Sequence, residues 1–433
     1  MNTRIYNARI VTMESVTDGT ANGFPILCGE LHIQGNEITY IGENTPDGQN
    51  IHWDREIDAE GNLLLPGFKN AHTHSAMTFL RSYADDLPLQ EWLYNQVFPM
   101  EAKLTQEDIY WCSRLAILEY LTSGITANFD MYMKNEANAK ASVDSGFRTV
   151  LCGSINDFGG TVEEMEQEYL HFNDYNDLIS YQLGFHAEYT TCRDILEGMA
   201  ALGHKYNAPI YTHNSETKAE VEGCMERYGT TPTAFLNSLG MFDHGGGGFH
   251  CVYMTEEDLD ICQDKNIWVV TNPASNVKLA SGIAPITKML DRGIGVAIGT
   301  DGPASNNCLD MFREMFLTTA LQKVSIPDAA ALDANEVLKM ATTGGAGAMR
   351  LTDCDTLSPG KKADLIMLDL HQPNMQPYNE ITKNVVYSGS KQNVKMTMVN
   401  GNILYENGQF SVGVEPEEIY AKVNESIQRM KHS

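Results

Sequence analysis

Basic residues are scarce in this chain. Thirty Lys+Arg stand against 57 Asp+Glu in 433 residues, a formal net charge of −27. That balance excludes nucleic acid as a partner, because phosphate contacts need clustered Lys and Arg, and it disfavours an anionic membrane surface for the same reason. Long apolar runs are also missing: no stretch of 18 apolar residues occurs, so no membrane-spanning helix is predicted. The first residues, MNTRIYNARIVTME, alternate like a strand and lack the apolar stretch of a signal peptide. The nine cysteines are odd in number, dispersed, and never spaced as C-x-x-C, which argues against a disulfide framework and a thiolate zinc site. A cytoplasmic protein with reduced, buried thiols is therefore expected. Internal repeats, low-complexity tracts and flexible linkers are absent too. With 42% hydrophobic residues, the acidity does not read as disorder, and the chain can bury a large core.

Two textures alternate along the sequence. Residues 1–60 read as short strands with turns: Thr3–Met13, Cys28–Gln34, Glu37–Ile41 and Glu56–Asp58, with Gly35-Asn36 as a hairpin signal. The same texture returns over 360–433 in Ala363–Leu370, Val394–Val399 and Asn402–Tyr405, with Asn400-Gly401 between the last two. Glu415–Met430 has helical spacing. Neither end has enough strands to bury a face alone, so the two are expected to form one small β domain. Between them, over 61–359, short apolar runs alternate with helical segments, the pattern of βα units. Eight candidate strands are Leu63–Pro66, Thr126–Phe129, Arg148–Cys152, Ser180–Phe185, Pro209–Thr212, Phe249–Val252, Ile267–Val270 and Gly295–Ile298. Helices are expected at Gln106–Thr122, Cys192–Lys205, Thr217–Tyr228 and Ile286–Asp291. This arrangement fits a closed (β/α)₈ TIM barrel better than an open sheet. A run of four glycines, Gly245–Gly248, precedes one strand and is the one compositional oddity.

Barrel enzymes carry their working groups at the C-terminal strand ends. The first strand is followed by His72-Thr73-His74, an H-x-H in which both imidazoles face one side of extended chain. Alone it is a weak signal. His186 and His213 follow the fourth and fifth candidate strands, His250 lies in the sixth, and Asp301 follows the eighth. These positions converge on one pocket, whereas the other histidines lie elsewhere and read as solvated or hydrogen-bonded. His72, His74, His213 and Asp301 offer three imidazoles and a carboxylate, a set suited to one divalent ion, Zn²⁺ or Fe²⁺. Such an ion lowers the pKa of its water toward neutrality. Glu216, three residues after His213, can curl back beside the ion as a general acid/base; the competing, weaker reading is an acid at the start of the next helix.

The stretches PGFKNAHTH, HNSE, FHCV and GTDGPASNN together resemble the amidohydrolase superfamily. The similar branch is that of the metal-dependent deaminases that includes the methylthioadenosine/S-adenosylhomocysteine deaminases, with triazine chlorohydrolases and purine aminohydrolases nearby. The resemblance spans nearly the whole chain and implies a composite β-sandwich made by the two ends, with Gly360–Leu365 as the re-entry into it. It implies His72, His74, His213 and Asp301 as ligands of one metal ion, zinc before iron. Glu216 would carry the proton, His250 would orient the attacking water species, and Asp301 would also accept a proton. Ser180–His186 contains no lysine to bridge a second metal. His186 is implied as a substrate contact. The loop Asp85–Leu93 with Phe98–Glu101 resembles the family's lid, which implies Glu101 on ribose hydroxyls; Trp92 and Ser305 would line the pocket.

Three positions depart from the family pattern: Thr161 where S-adenosylhomocysteine-accepting members carry arginine, Glu188 in place of proline, and Thr271 in place of histidine. The first weakens the case for a carboxylate-bearing substrate, and Glu188 adds charge near the pocket. The resemblance thus implies a deaminase of an adenine-type nucleoside, forming a dimer or tetramer as relatives do. An aminohydrolase of a free purine, pterin, pyrimidine or triazine is the alternative, and a metal-free scaffold is disfavoured because all four ligands and Glu216 are present.

Overall fold

The computed structural model describes residues 1–14, 23–45 and 51–432. Eight parallel strands form one continuous ladder: Phe68–Thr73, Ile125–Met131, Arg148–Cys152, Ile179–Ala187, Ile210–Asn214, Gly246–His250, Ile267–Thr271 and Val296–Ile298. The expected barrel is therefore present, with two corrections: the sixth strand is Gly246–His250 rather than Phe249–Val252, so three of the four glycines lie within it, and the first strand is displaced. Leu63–Pro66 is not its first strand. That run is fully buried and pairs with Asn2–Ile10 on one side and Leu365–Leu368 on the other, so it belongs to the second sheet. The first barrel strand is Phe68–Thr73, whose polar Lys69, Asn70 and His72 are all buried.

The seam between the last and first barrel strands is closed by specific bonds. Asp301 N–H donates to the His72 carbonyl (3.0 Å). The Asn70 side chain accepts from Thr300 N–H (2.8 Å) and donates to Thr300 Oγ1 (2.7 Å). Inside the barrel Phe129, Tyr211, Phe249 and Val270 fill the axis, as closure around side chains requires. This packing accounts for the glycine run. A Cβ on Gly247 would lie 2.4 Å from the Tyr211 ring, and one on Gly246 would lie 2.2 Å from the Ile210 carbonyl oxygen.

Strands from both chain ends join in a nine-stranded mixed sheet, ordered Gln409–Phe410, Asn402–Glu406, Val394–Val399, Leu365–Leu368, Leu63–Pro66, Asn2–Ile10, Leu27–Gln34 and Glu37–Gly42, with Arg55–Asp58 beside Asn2–Ile10. The Asn400-Gly401 hairpin has positive φ at both residues, as a type I′ turn demands. Pro416–His432 forms the terminal helix and packs on Gln106–Thr122. A buried ion pair ties this sheet to the foot of the barrel. Arg148 donates Nε to Asp364 Oδ2 (2.7 Å) and Nη2 to Oδ1 (3.1 Å), while Asn400 N–H donates to the same carboxylate (2.7 Å). No helix is long and apolar enough to cross a membrane among the described residues.

Candidate active site

The C-terminal strand ends gather His72, His74, His186, His213, His250 and Asp301 around one point. Backbone geometry there is unusual: His250 and Asp301 both have positive φ (71° and 58°), as does Ser215 (51°). Non-glycine residues hold such conformations at a cost, and here the strain turns the side chains inward.

Second partners fix the imidazole tautomers. His74 Nδ1 faces the Met131 carbonyl (2.5 Å), and His213 Nδ1 faces the His186 carbonyl (2.7 Å). Each ring then donates from Nδ1 and leaves Nε2 as a free lone pair, the orientation that metal-ligating histidines adopt. Those free atoms converge: His74 Nε2 lies 3.4 Å from His213 Nε2 and 3.2 Å from Asp301 Oδ1, and His72 Nε2 lies 3.5 Å from the same oxygen. Both ring nitrogens of His72 are buried without a hydrogen-bond partner. An orphaned imidazole is costly unless something else satisfies it. Burial pushes His72 down to about 3 and His186 down to about 4, and holds His213 well below the ordinary range, so these rings stay neutral. Burial works to raise Asp301, yet His72 and His74 hold it well below the usual carboxylate range. Burial works to lower His74, but Asp301 beside it raises it; buried imidazoles, an ionised carboxylate and an unsatisfied ring fit one divalent cation.

Hydroxyls and amides secure the neighbouring groups. Asp301 Oδ2 accepts from Ser275 Oγ (2.5 Å) and Ser305 Oγ (2.9 Å). His250 Nδ1 is paired with Asn276 Oδ1 (2.7 Å), leaving Nε2 3.9 Å from Glu216 Oε2 and 4.0 Å from Asp301 Oδ2. Glu216 does leave its strand and fold back: its own N–H and that of Ser215 donate to the Glu220 carboxylate (2.8 and 2.7 Å). Glu220, rather than Glu216, is thus the acid that starts the helix Lys218–Tyr228, reciprocally capping with Thr217.

Around this centre lies a cleft with about 800 Å³ of empty space, its open mouth included. His74, Trp92, Glu101, His186, His213, Glu216, His250, Asp301 and Ser305 all line it, together with Met77, Phe98, Met131, Tyr132 and Tyr189. Glu101 Oε1 accepts from Tyr132 OH (2.6 Å), and burial pushes the carboxyl up to about 7. The Ser305 hydroxyl is committed to Asp301. Glu188 does not line the cleft. Its buried carboxylate is paired with Arg227 (2.6 and 3.2 Å), so the charge expected near the pocket is neutralised outside it. Thr161 caps the helix Val162–Phe172 by accepting from Glu164 N–H (3.1 Å). Sequence reasoning did not find Ser275, Asn276, Ser281 or Tyr132, since no short motif contains them.

An eight-stranded parallel barrel whose strand ends bring buried imidazoles and a carboxylate to one point fits a metal-dependent hydrolase. The chain belongs to the amidohydrolase family, whose profile matches residues 63–404. It is 38% identical to 5-methylthioadenosine/S-adenosylhomocysteine deaminase of Pelotomaculum thermopropionicum, over 99% of both chains. It is also 38% identical to 5′-deoxyadenosine deaminase of Methanobrevibacter smithii, over 95% of both. Among solved structures, a zinc-bound adenosine deaminase from Xanthomonas campestris superposes with a TM-score of 0.93 at 29% identity, covering 100% of this chain and 99% of the other.

Proposed function

We propose that this enzyme hydrolytically deaminates an adenine-type nucleoside with an uncharged 5′ end, such as 5′-methylthioadenosine, 5′-deoxyadenosine or adenosine, releasing ammonia and the inosine-type product. The names of its relatives support the reaction. The observation that carries the choice of substrate is the cleft itself: among the described residues its lining holds Glu101, Glu216 and Asp301 but no lysine or arginine. Even with one divalent ion bound, the three carboxylates leave no net positive charge to attract a phosphate or an unpaired carboxylate, whereas a neutral nucleoside is unopposed.

His72, His74, His213 and Asp301 would hold one divalent ion, zinc foremost, which supplies Lewis acidity and brings the pKa of a bound water toward neutrality. The protein does the rest. Glu216 takes a proton from water at Oε2 and delivers it to the ring nitrogen beside the amino-bearing carbon. Oxygen adds to that carbon, giving a tetrahedral substrate intermediate. His250 Nε2 orients the oxygen, and Asp301 Oδ2 accepts its remaining proton. Transfer of that proton to the amino group expels ammonia and restores the ring carbonyl. His186 and Trp92 shape the base pocket, and Glu101 accepts hydrogen bonds from the ribose diol.

Ammonia release from adenosine, 5′-methylthioadenosine, 5′-deoxyadenosine and S-adenosylhomocysteine by the zinc-loaded enzyme tests this reading. Turnover of the first three, well ahead of the fourth, is expected. No turnover of any nucleoside at full metal occupancy would refute it.

A further inference from the structure

One short segment reaches all three groups assigned to proton handling. The helix Pro273–Lys278 follows the seventh barrel strand and presents Ser275 to Asp301 and Asn276 to His250. The turn after it brings Ser281 Oγ to Glu216 Oε1 at 3.0 Å. Ser275, Asn276 and Ser281 are all buried, so their side chains have few solvent alternatives.

The turn is built to place that hydroxyl. Ser281 N–H donates to the Asn276 carbonyl (2.8 Å) and Ala280 N–H to the Val277 carbonyl (3.2 Å), the paired bonds of a Schellman helix stop. Such a stop needs a left-handed residue, ordinarily glycine. Here Ala280 occupies it at φ 55°, which costs backbone energy. The residue so displaced is Ser281, and it spends its hydroxyl on one oxygen of Glu216. The other oxygen is left on the His250 side, where the reaction is assigned.

We propose that Ser281 is a positioning residue that holds the Glu216 carboxylate in its proton-transferring orientation, and that Ser275–Ser281 aligns Glu216, His250 and Asp301 as one unit. The proposal rests on the assignment of Glu216 as proton carrier. A carboxylate tethered through one oxygen has a fixed plane. An untethered one samples other rotamers, and the reactive fraction falls. Ground-state binding is set elsewhere in the cleft and should be little affected.

The test is a set of variants of the zinc-loaded enzyme assayed with 5′-methylthioadenosine. Ser281→Ala should lower kcat roughly 10- to 100-fold, the range for one hydrogen bond to a charged group, with KM within about threefold and metal content unchanged. Ser281→Thr, which keeps the hydroxyl, should recover most of the rate. In a Glu216→Gln background, adding Ser281→Ala should cost little more, because the two residues act as one. Full kcat in Ser281→Ala, or the same fold loss in both backgrounds, would overturn the proposal. If Ser281→Ala fails to fold, Ser281→Cys keeps the volume with a weaker donor, and unchanged kcat there overturns it equally. Loss of activity in Glu216→Gln with no effect of Ser281→Ala removes only this inference, whereas full activity in Glu216→Gln removes the function it rests on.

Discussion

If Glu101 grips the ribose diol, the grip can be measured from both sides. Its carboxylate has about four lone-pair positions, and Tyr132 OH occupies one, on Oε1. Among the described residues no other side chain is bonded to this carboxylate, which leaves Oε2 and the remaining position on Oε1 for two hydroxyl donors. Two charge-assisted bonds at about 1.5–3 kcal/mol each amount to about 3–6 kcal/mol, or roughly 10²- to 10⁴-fold in kcat/KM. Glu101→Ala should lose about this much on 5′-methylthioadenosine. The wild type should discriminate by a similar factor against the 2′,3′-dideoxy analogue, and the variant should hardly distinguish the two substrates. The pH dependence follows from burial, which pushes this carboxyl up to about 7. The accepting form is the ionised one, so affinity for the diol is complete above that value and weakens below it, approaching tenfold per pH unit. The dideoxy analogue should show no such dependence. Steady-state kinetics across pH on both substrates measure all of this. An unchanged discrimination ratio in Glu101→Ala would refute the sugar contact and favour a free base as substrate.

Removing one partner of the Arg148–Asp364 pair should be expensive. Arg148→Met strands a buried carboxylate and should cost about 3–5 kcal/mol, while Arg148→Met with Asp364→Leu should cost much less; urea unfolding compares them. Burial opposes ionisation of Asp364, but the Arg148 guanidinium holds its folded pKa below the ordinary value. The pair's contribution is therefore complete above about pH 4, the unfolded carboxyl's range, and is lost as pH falls through the lower folded value. Beside the loop that begins at Asp85, Lys278 Nζ bridges Asp85 (2.6 Å) to the Asn307 side chain. If that loop covers the substrate, Lys278→Met should raise KM by up to about fivefold with kcat preserved, the range of a partly exposed pair; an unchanged KM would show that the pair does not hold the loop over the substrate.

Much of this architecture is legible in the sequence because its signals are local. The H-x-H, the HNSE turn and the histidines after the middle strands depend only on alternation and strand ends. The first barrel strand misleads for a physical reason. Leu63–Pro66 has the apolar texture of a buried strand, whereas the true strand buries the polar Lys69, Asn70 and His72, each serving a polar partner or site rather than the core. Lys69 donates to Thr126 Oγ1 (2.8 Å), a bond no periodicity analysis detects. The pairing of Glu188 and the contact of Ser281 are hidden for another reason. Their partners, Arg227 and Glu216, lie 39 and 65 positions away, and only the closed barrel makes them neighbours.

The seam between the last and first barrel strands bears on how the molecule reaches its native state. Asn70 and Thr300, which fasten it, are separated by 230 positions. The seam is thus a contact of very high sequence separation, whose entropic cost falls on a late step of folding. His72 and Asp301 sit on its two sides, so the site cannot assemble until the chain has closed on itself. A cation held by His72 and Asp301 together would act as a clasp on the completed ring, slowing reopening at the joint where the sheet ladder does not run through.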